Sequence, residues 1–338
     1  MPDAYRIFGA ELSPYSVKVR SYFRFKRIPH QWIPRSQAVQ EEFQKYAKLP
    51  LIPLVVTPDG QGIQDSTPII ERMEAQAPEP TIYPEDPALR FISALLEEYA
   101  DEWGNKHMFH YRWFYEPDQR SAAERIARMN LPADAPTAAI AKAVGAVRER
   151  MVPRLSFVGS SSETKDLIET SFRRLLSIVE AHLDGRSYLL GARPALADFG
   201  MYAQLYQCST DPTPGAIMRK EAPRTLAWID RMLDPAKDEA ALRQRFESWD
   251  SLRATLEPLL AREVAGVFLP WTLANAAALG SGEETFAVEL EGRPFRQGTQ
   301  KYHARSLSAL RGKYQAITDR GALDPILRAT GCLDAIAA

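Results

Sequence analysis

The chain has 338 residues, enough for two domains with well-filled cores, and its 45% apolar and 25% charged content is typical of a soluble globular protein. Its 42 basic and 43 acidic residues leave a net charge of −1, which gives no electrostatic basis for binding nucleic acid or an anionic membrane. No apolar run has the length of a membrane-spanning helix, and we expect no signal peptide. Cys208 and Cys332 lie far apart in sequence, so we expect no disulfide framework and a cytoplasmic location.

The first residues predict a strand, a loop and then a helix. Residues 5–9 form a short apolar run that ends in Gly, as buried strands often do. Ser13-Pro14 predicts a helix start, with Ser13 as the N-cap, and apolar residues continue at helical spacing to Lys26. The free N–H groups and the positive dipole end of this helix would stabilise a thiolate or another anion beside Ser13.

Two further strands and a short helix are predicted next. Residues 29–34 form a strand bounded by prolines, and residues 40–49 form the helix. Residues 51–56 form an apolar strand. Pro53, near its start, lacks a ladder donor and stands where a cis peptide bond can occur.

A hairpin completes this part of the chain and carries its resemblance to a known family. Asp59-Gly60 predicts the turn, residues 61–64 return as a strand, and Asp65-Ser66-Thr67-Pro68 opens another helix. The order of these elements, with Ser-Pro-Tyr-Ser at the first helix and Ile-Pro before the third strand, resembles the thioredoxin-like domain of glutathione transferases. The joint order and spacing of the motifs carries this resemblance, since each motif alone is weak.

The resemblance implies that the chain binds glutathione, a tripeptide thiol, and activates its sulfur. Ser13 occupies the position of the active residue in Ser- and Cys-type transferases, so we expect its hydroxyl to stabilise the thiolate. Tyr15 and Ser16 are the alternative hydroxyl donors. The alternative role for Ser13 itself is that of a plain N-cap with no part in catalysis. A free thiol of pKa about 8.5 is only a few per cent ionised at neutral pH. Because position 13 is Ser rather than Cys, a thiol–disulfide reductase is not expected.

The resemblance also implies the other contacts to glutathione. The backbone of Ile52, before a cis Pro53, would pair antiparallel with its peptide. Asp65 and Ser66 match the acidic residue and Ser that hold the γ-glutamyl end, where the hydroxyl and helix N–H groups bind the carboxylate and the acid complements the ammonium. Most relatives have Glu at the position of Asp65. A helix cap is the alternative role for this pair.

A Pro-rich, acidic linker at residues 77–87 precedes a long helix over residues 88–115. In the family, the corresponding helix faces the cleft above the glutathione site, so its aromatic face is expected to form a wall for an apolar co-substrate, with ordinary core or a dimer face as the alternative. The face consists of Trp103, His107, His110, Tyr111 and Phe114. His107 and His110 are neighbours on a helix, but we expect no metal because no further ligand cluster accompanies them.

Helices are predicted to continue through a second family signature. They are expected at residues 122–129, within a polar segment, and at 137–150, 163–183 and 223–232. Residues 188–199 are similar to the stretch that enters a buried helix of transferases. There a Ser or Thr caps the helix, whereas here Ala195 takes the cap position, and Asp198 is expected to accept a hydrogen bond from the cap's backbone N–H.

The resemblance ends near residue 262. Beyond it we expect a helix at residues 268–279, a strand or hairpin near Phe286, Val288 and Leu290, and a final helix over 299–317. This extension either covers the cleft or extends the core. The predicted fold is an α/β thioredoxin-like domain (1–80), an all-α helical bundle domain (88–262) and a small mixed α/β extension packed on it (263–338).

The expected function is that of a cytoplasmic detoxification enzyme, a glutathione transferase. Glutathione is the co-substrate, and its partner is a small hydrophobic or aromatic electrophile; lyase, dehalogenase and peroxidase variants share the thiolate step. The alternative is a glutathione-binding or protein-interaction module with little turnover, because fold does not guarantee function. The resemblance further implies a homodimer, and we expect neither nucleic acid nor membrane as a partner.

Overall fold

The computed structural model describes residues 4–241 and 244–338 and begins with a four-stranded sheet. The strands are β1 (Tyr5–Gly9), β2 (His30–Pro34), β3 (Leu54–Val56) and β4 (Gly62–Gln64). They are ordered β2-β1-β3-β4; β1 is parallel to β2 and antiparallel to β3, and β4 is antiparallel to β3. The predicted thioredoxin-like arrangement of this part is confirmed.

Helices form most of the remaining described chain. In order they are α1 (Pro14–Phe25), α2 (Gln40–Tyr46), α3 (Ser66–Gln76), α4 (Pro87–Tyr99), α5 (Asn105–Phe114), α6 (Glu116–Asn130), α7 (Thr137–Met151), α8 (Lys165–His182), α9 (Leu196–Thr210), α10 (Pro212–Glu221), α11 (Pro223–Leu233), α12 (Trp249–Leu259), α13 (Leu269–Gly280), α14 (Lys301–Gln315), α15 (Leu323–Ala329) and α16 (Leu333–Ala337). Short 3₁₀ turns occur at Gln37–Val39, Val152–Val158 and Pro235–Lys237. In the described ranges no helix is both long and apolar enough to cross a bilayer.

The long helix predicted over residues 88–115 is interrupted by a π-helical segment. α4 and α5 are continuous through Ala100–Gly104, which has π geometry. Such segments widen a helix locally and are frequent at functional sites. This one carries Asp101 and Glu102, which face the predicted glutathione site and the extension, respectively.

The helical segment after α5 is longer than predicted. Only residues 122–129 were expected to be helical, because the surroundings are polar and contain Pro117, but α6 spans Glu116–Asn130. Pro117 stands in the first turn, where a missing N–H costs no hydrogen bond. The polar composition reflects an exposed outer face, while Ala122, Ala123 and Ala127 are buried.

Asp198 holds the entrance to α9 in the predicted way. One carboxylate oxygen accepts from the backbone N–H of Ala195 at 2.8 Å, and the other accepts from the backbone N–H of Leu189 at 2.8 Å and from Trp228 at 3.0 Å. Burial raises the pKa of this fully buried carboxyl to about 7. Its three donors all belong to the helical domain, so its role is to fix the chain around α9.

The C-terminal extension contains a β-hairpin and packs into the main core. Strands β5 (Thr285–Leu290) and β6 (Arg293–Gly298) pair antiparallel through Glu291-Gly292, where both φ angles are positive as a tight hairpin turn requires. The predicted hairpin is thus confirmed. Buried Phe295 and Leu310 belong to the same apolar cluster as the helical domain, so the extension does extend the core.

Candidate functional site

The register of the first sheet brings three chain connections to one edge. Phe8 pairs with Leu54, and Leu54 pairs with Gln64 on its other side. The end of β1, the start of β3 and the end of β4 are therefore neighbours. The loop into α1, the segment before β3 and the start of α3 all leave the sheet at this edge.

These connections carry the residues that the sequence singled out as contacts for glutathione. Ser13 stands at the start of α1, the Ile52–Pro53 peptide bond before β3 is cis, and Asp65-Ser66 opens α3. The fold thus places all five side by side around one sheet edge. Their roles toward a ligand stay predictions.

Ser13 is the N-cap of α1. Its Oγ accepts from the backbone N–H of Ser16 at 3.3 Å, and its extended backbone is typical of a cap. This contact uses a lone pair of Oγ and does not consume the hydroxyl hydrogen. Ser13 is half-buried, so that hydrogen can be donated to a group at the helix N-terminus.

The two alternative donors are placed differently. Tyr15 donates its hydroxyl to the backbone carbonyl of Asp101 at 2.9 Å, and burial, with Asp101 second, raises its pKa well above the usual value. Ser16 is fully buried. A Cβ added to Gly9 of β1 would lie 2.9 Å from the Cβ of Ser16, so the Ser16 side chain lies in the packing between α1 and β1. Of the three hydroxyls, that of Ser13 is the one that is neither fully buried nor donated to a backbone carbonyl.

Asp65 and Ser66 are tied to other parts of the chain. Asp65 has a φ of 79°, in the left-handed region, and both its carboxylate oxygens lie 3.0 Å from the hydroxyl of Tyr302. Ser66 is buried, and its Oγ accepts from the ammonium of Lys18 at 3.4 Å. The pair is thus bound by α1 on one side and by the extension on the other.

Lys18 is a buried cation at the centre of this region. Its Nζ donates to Asp101 at 2.6 Å, to Thr67 at 3.2 Å, and to Glu97. Burial alone would lower the pKa of Lys18, but the two carboxylates raise it above its usual value, so the side chain is charged. It connects α1, α3, α4 and the π-helical segment.

Acidic groups outnumber the cation that they surround. Burial raises the pKa of Asp101 to about 7, with Lys18 opposing this and Glu97 adding to it. Burial, Glu97 and Asp101 together raise the pKa of Glu98 to about 8. One oxygen of Asp101, Oδ1, is buried and has no hydrogen-bond partner within the described residues. These carboxyls therefore bind a proton, or another positive group, more readily than exposed carboxyls do.

The predicted aromatic wall is covered by neighbouring elements. Four of its five members are at most 1% exposed, and Phe114 is half-buried. Trp103 and His107 both bond to Ser171 on α8, and Trp103 also packs against Trp271 of α13. The members are Trp103, His107, His110, Tyr111 and Phe114. They do not form an open surface in this conformation, and a role in substrate binding stays a prediction.

Several residues of the site were not found from the sequence. Lys18 carried a local signal, since it is a charge between Val17 and Val19 in an apolar helix, but its carboxylate partners lie 79 and 83 residues away. Tyr302 is 237 residues from Asp65, and no local pattern distinguishes it.

Comparison with solved structures returned glutathione S-transferases and other chains at low sequence identity. A glutathione S-transferase from Methylobacterium radiotolerans, in complex with glutathione sulfonate, is 19% identical; the match covers 72% of this chain and 98% of that one, with a TM-score of 0.43. A glutathione S-transferase from Rhodospirillum rubrum F11 is 20% identical; the match covers 72% of this chain and 97% of that one, with a TM-score of 0.45. FzlA from C. crescentus is 19% identical; the match covers 73% of this chain and 97% of that one, with a TM-score of 0.43. Comparison with curated proteins gave no significant match.

Two family models match the sequence directly. Residues 7–81 match the glutathione S-transferase N-terminal domain, and residues 138–231 match the C-terminal domain. The two matches together span half of the chain, and residues 232–338 lie beyond them. The predicted resemblance is confirmed, although its direct match ends before residue 262. The chain belongs to the glutathione transferase superfamily.

Proposed function

We propose that the chain is a glutathione transferase that activates the thiol of glutathione at the edge of its N-terminal sheet. One observation carries this proposal: the Ser13 hydroxyl caps α1 at the same sheet edge as the Ile52-Pro53 segment before β3 and the N-terminus of α3. A hydroxyl donor, an exposed backbone and an anion-binding helix end are what a small peptide thiol requires.

Ser13 would donate its hydroxyl hydrogen to the glutathione sulfur. The N-terminus of α1 adds the positive end of the helix dipole at the same point. Lowering a thiol pKa by two units, which makes the thiolate dominant at neutral pH, requires about 2.7 kcal/mol. The sulfur then forms a bond to an electrophilic carbon, the thiol proton passes to solvent, and any leaving group departs with its electron pair.

The other contacts would hold the peptide portion. The backbone of Ile52, held in place by Pro53, would pair with the cysteinyl peptide group. The Ser66 hydroxyl and the first N–H groups of α3 would bind the γ-glutamyl carboxylate. The carboxylate of Asp65 would accept from the neighbouring ammonium.

The electrophile is proposed to be apolar or aromatic. Trp103, His107, His110 and Tyr111 are buried under α8 and the extension, so they can line a substrate only after those elements move. Conjugation, ether cleavage, dehalogenation and peroxide reduction share the thiolate step and are separated by a substrate panel. A homodimer and a cytoplasmic, detoxifying role are also part of this proposal; light scattering of the purified chain tests the first.

The test is a pH titration of the thiolate absorbance of glutathione bound to the wild type, Ser13→Ala and Ser16→Ala. We expect a lowered thiol pKa in the wild type, its loss in Ser13→Ala, and its retention in Ser16→Ala. An unshifted pKa in a bound complex would instead favour a binding module with little turnover. If the wild type binds no glutathione at all, the chain shares only the fold of the family and the proposed function is wrong.

A further inference from the structure

The extension reaches the predicted glutathione site through one side chain. The Tyr302 hydroxyl lies 3.0 Å from each oxygen of Asp65, while its ring lies edge-on to that of His303 and the residue is 42% exposed. An aromatic residue that is this exposed contributes little to folding by burial. The main interaction of the Tyr302 side chain is therefore its hydrogen bond to Asp65.

Tyr302 is held in place from its own side of the contact. Two residues before Tyr302, the backbone of Gln300 makes two hydrogen bonds with the side-chain amide of Asn275, which is fully buried. The backbone N–H of Gln300 donates to the amide oxygen at 2.7 Å, and the amide NH₂ donates to the backbone carbonyl of Gln300 at 3.0 Å. Gln300 is the N-cap of α14, so the clamp fixes the first turn of that helix. The first turn of α14, which carries Tyr302, is therefore held by a buried side chain.

The rest of α14 is aligned with the same acidic region. His303 contacts Glu102, and Lys313 forms an ion pair with Glu71 of α3 at 2.7 Å. These contacts distribute along the whole helix. α14 is therefore anchored to both the thioredoxin-like and the helical part, and Tyr302 does not depend on a single loop for its position.

The chemistry of the contact leaves a place for a cation. The residue as a whole is partly exposed, but the protein around its hydroxyl removes water there. This desolvation, with Asp65 and Asp101 next, raises the pKa of Tyr302 above its usual value, so the phenol remains protonated and donates its one hydrogen to Asp65. Its oxygen retains lone pairs, and the carboxylate retains acceptor sites. Asp101 adds a buried oxygen, Oδ1, that has no partner in the described part of the chain. A primary ammonium group fits these acceptors.

We propose that Tyr302 is a positioning residue for the ammonium end of the ligand. It fixes the orientation of the Asp65 carboxylate, so the C-terminal extension completes a site that the first 80 residues only begin. The identity of the ligand as glutathione rests on the proposed function. The contribution of Tyr302 rests on its geometry.

The test compares Tyr302→Phe with Tyr314→Phe by calorimetric titration. Tyr314 is a matched control, because it lies on the same helix and its hydroxyl also donates to a carboxylate, that of Asp324 at 2.9 Å within the extension. Each variant is titrated with glutathione and with its analogue lacking the α-amino group, and melting temperatures verify folding. We expect Tyr302→Phe to weaken glutathione binding on the order of tenfold, as for loss of a hydrogen bond to a charged group.

The same loss should be absent for the analogue without an amino group and absent in Tyr314→Phe. In an Asp65→Asn background, Tyr302→Phe should have no further effect, because the two residues act through one contact. Unchanged or tighter glutathione binding by Tyr302→Phe, or equal weakening of both ligands, would overturn the inference alone. If the wild type binds no glutathione, the proposed function falls and this inference with it.

Discussion

The ammonium group of Lys18 lies 2.6 Å from the carboxylate of Asp101, in an ion pair withdrawn from solvent. The Lys18 side chain is fully buried and also bonds to Glu97, while its backbone belongs to the helix that Ser13 caps. One cation therefore joins the helix of the proposed thiol site to α4 and the π-helical segment. Buried pairs of this kind are costly to break, because the partner is left as an uncompensated charge.

Lys18→Met is expected to destabilise the protein by about 3–5 kcal/mol, the range for removing one partner of a buried ion pair. The substitution keeps the length of the side chain and removes its charge, so Glu97 and Asp101 lose their counter-ion. Urea unfolding measures the change. The control is Lys237→Met, which breaks the exposed pair with Asp234 and should cost less than about 1 kcal/mol. Similar costs for the two variants would show that the Lys18 pair adds nothing by being buried.

The raised carboxyl pKa values of Asp101 and Glu98 predict a pH dependence of stability, and that of Asp198 acts in the same direction. Unfolded Asp and Glu lose their protons near pH 4, whereas Asp101 and Glu98 in the folded chain have pKa values of about 7 and about 8. Between these limits these two groups bind more protons in the folded state than in the unfolded state, so their contribution to stability falls as pH rises from about 4 to about 8. For Asp101 and Glu98 burial favours the protonated form, whereas at Glu97 the charge of Lys18 outweighs burial and lowers the pKa, so that carboxyl remains ionised.

Glu98→Gln tests this dependence because it keeps the shape of the side chain and cannot ionise. Melting temperatures measured from pH 5 to pH 8 should fall less steeply than in the wild type, and the variant should be relatively more stable at the alkaline end. Glu85→Gln, at an exposed position before α4, should keep the wild-type slope. A Glu98→Gln curve parallel to the wild type would mean that Glu98 is ionised throughout.

Local chemistry made the first sheet and its connections predictable. Ser13-Pro14 determines where α1 starts, and Asp59-Gly60 determines the turn before β4, because caps and turns depend on neighbouring residues. The role of Asp198 was also predictable although Ala195 replaces the usual Ser or Thr cap. The hydrogen bond from the N–H of Ala195 to Asp198 uses only the backbone of the cap residue. The elements of the first 80 residues therefore followed from their sequence.

Long-range packing was not predictable in the same way. Helical periodicity identified the face of Trp103, His107 and Tyr111 as apolar, but it does not say which element covers that face. In the structure α8 and the extension cover it. Likewise nothing in the sequence around Tyr302 indicates that Asp65 is its partner, because the contact depends on how the whole extension packs.

The packing of the extension against the helical domain depends on Gly159. It has a φ of +70°, and a Cβ added there would lie 2.5 Å from Cζ of the fully buried Phe295 on β6. Gly185 has a similar φ of +79°, but an added Cβ would meet nothing within 4 Å. The two glycines thus share the backbone requirement and differ in the contact with the extension.

Gly185→Ala should therefore cost about 1–2 kcal/mol, the penalty of a left-handed conformation for an L-residue. Gly159→Ala should cost about 1–3 kcal/mol more, because Phe295 must also shift out of a filled core. Chemical denaturation of both variants measures the difference. Equal costs would mean that the hairpin is loosely attached and that α14, which follows it, is not held rigidly enough to present Tyr302. A larger loss in Gly159→Ala, accompanied by weaker glutathione binding, would connect the packing of the extension to the ligand site.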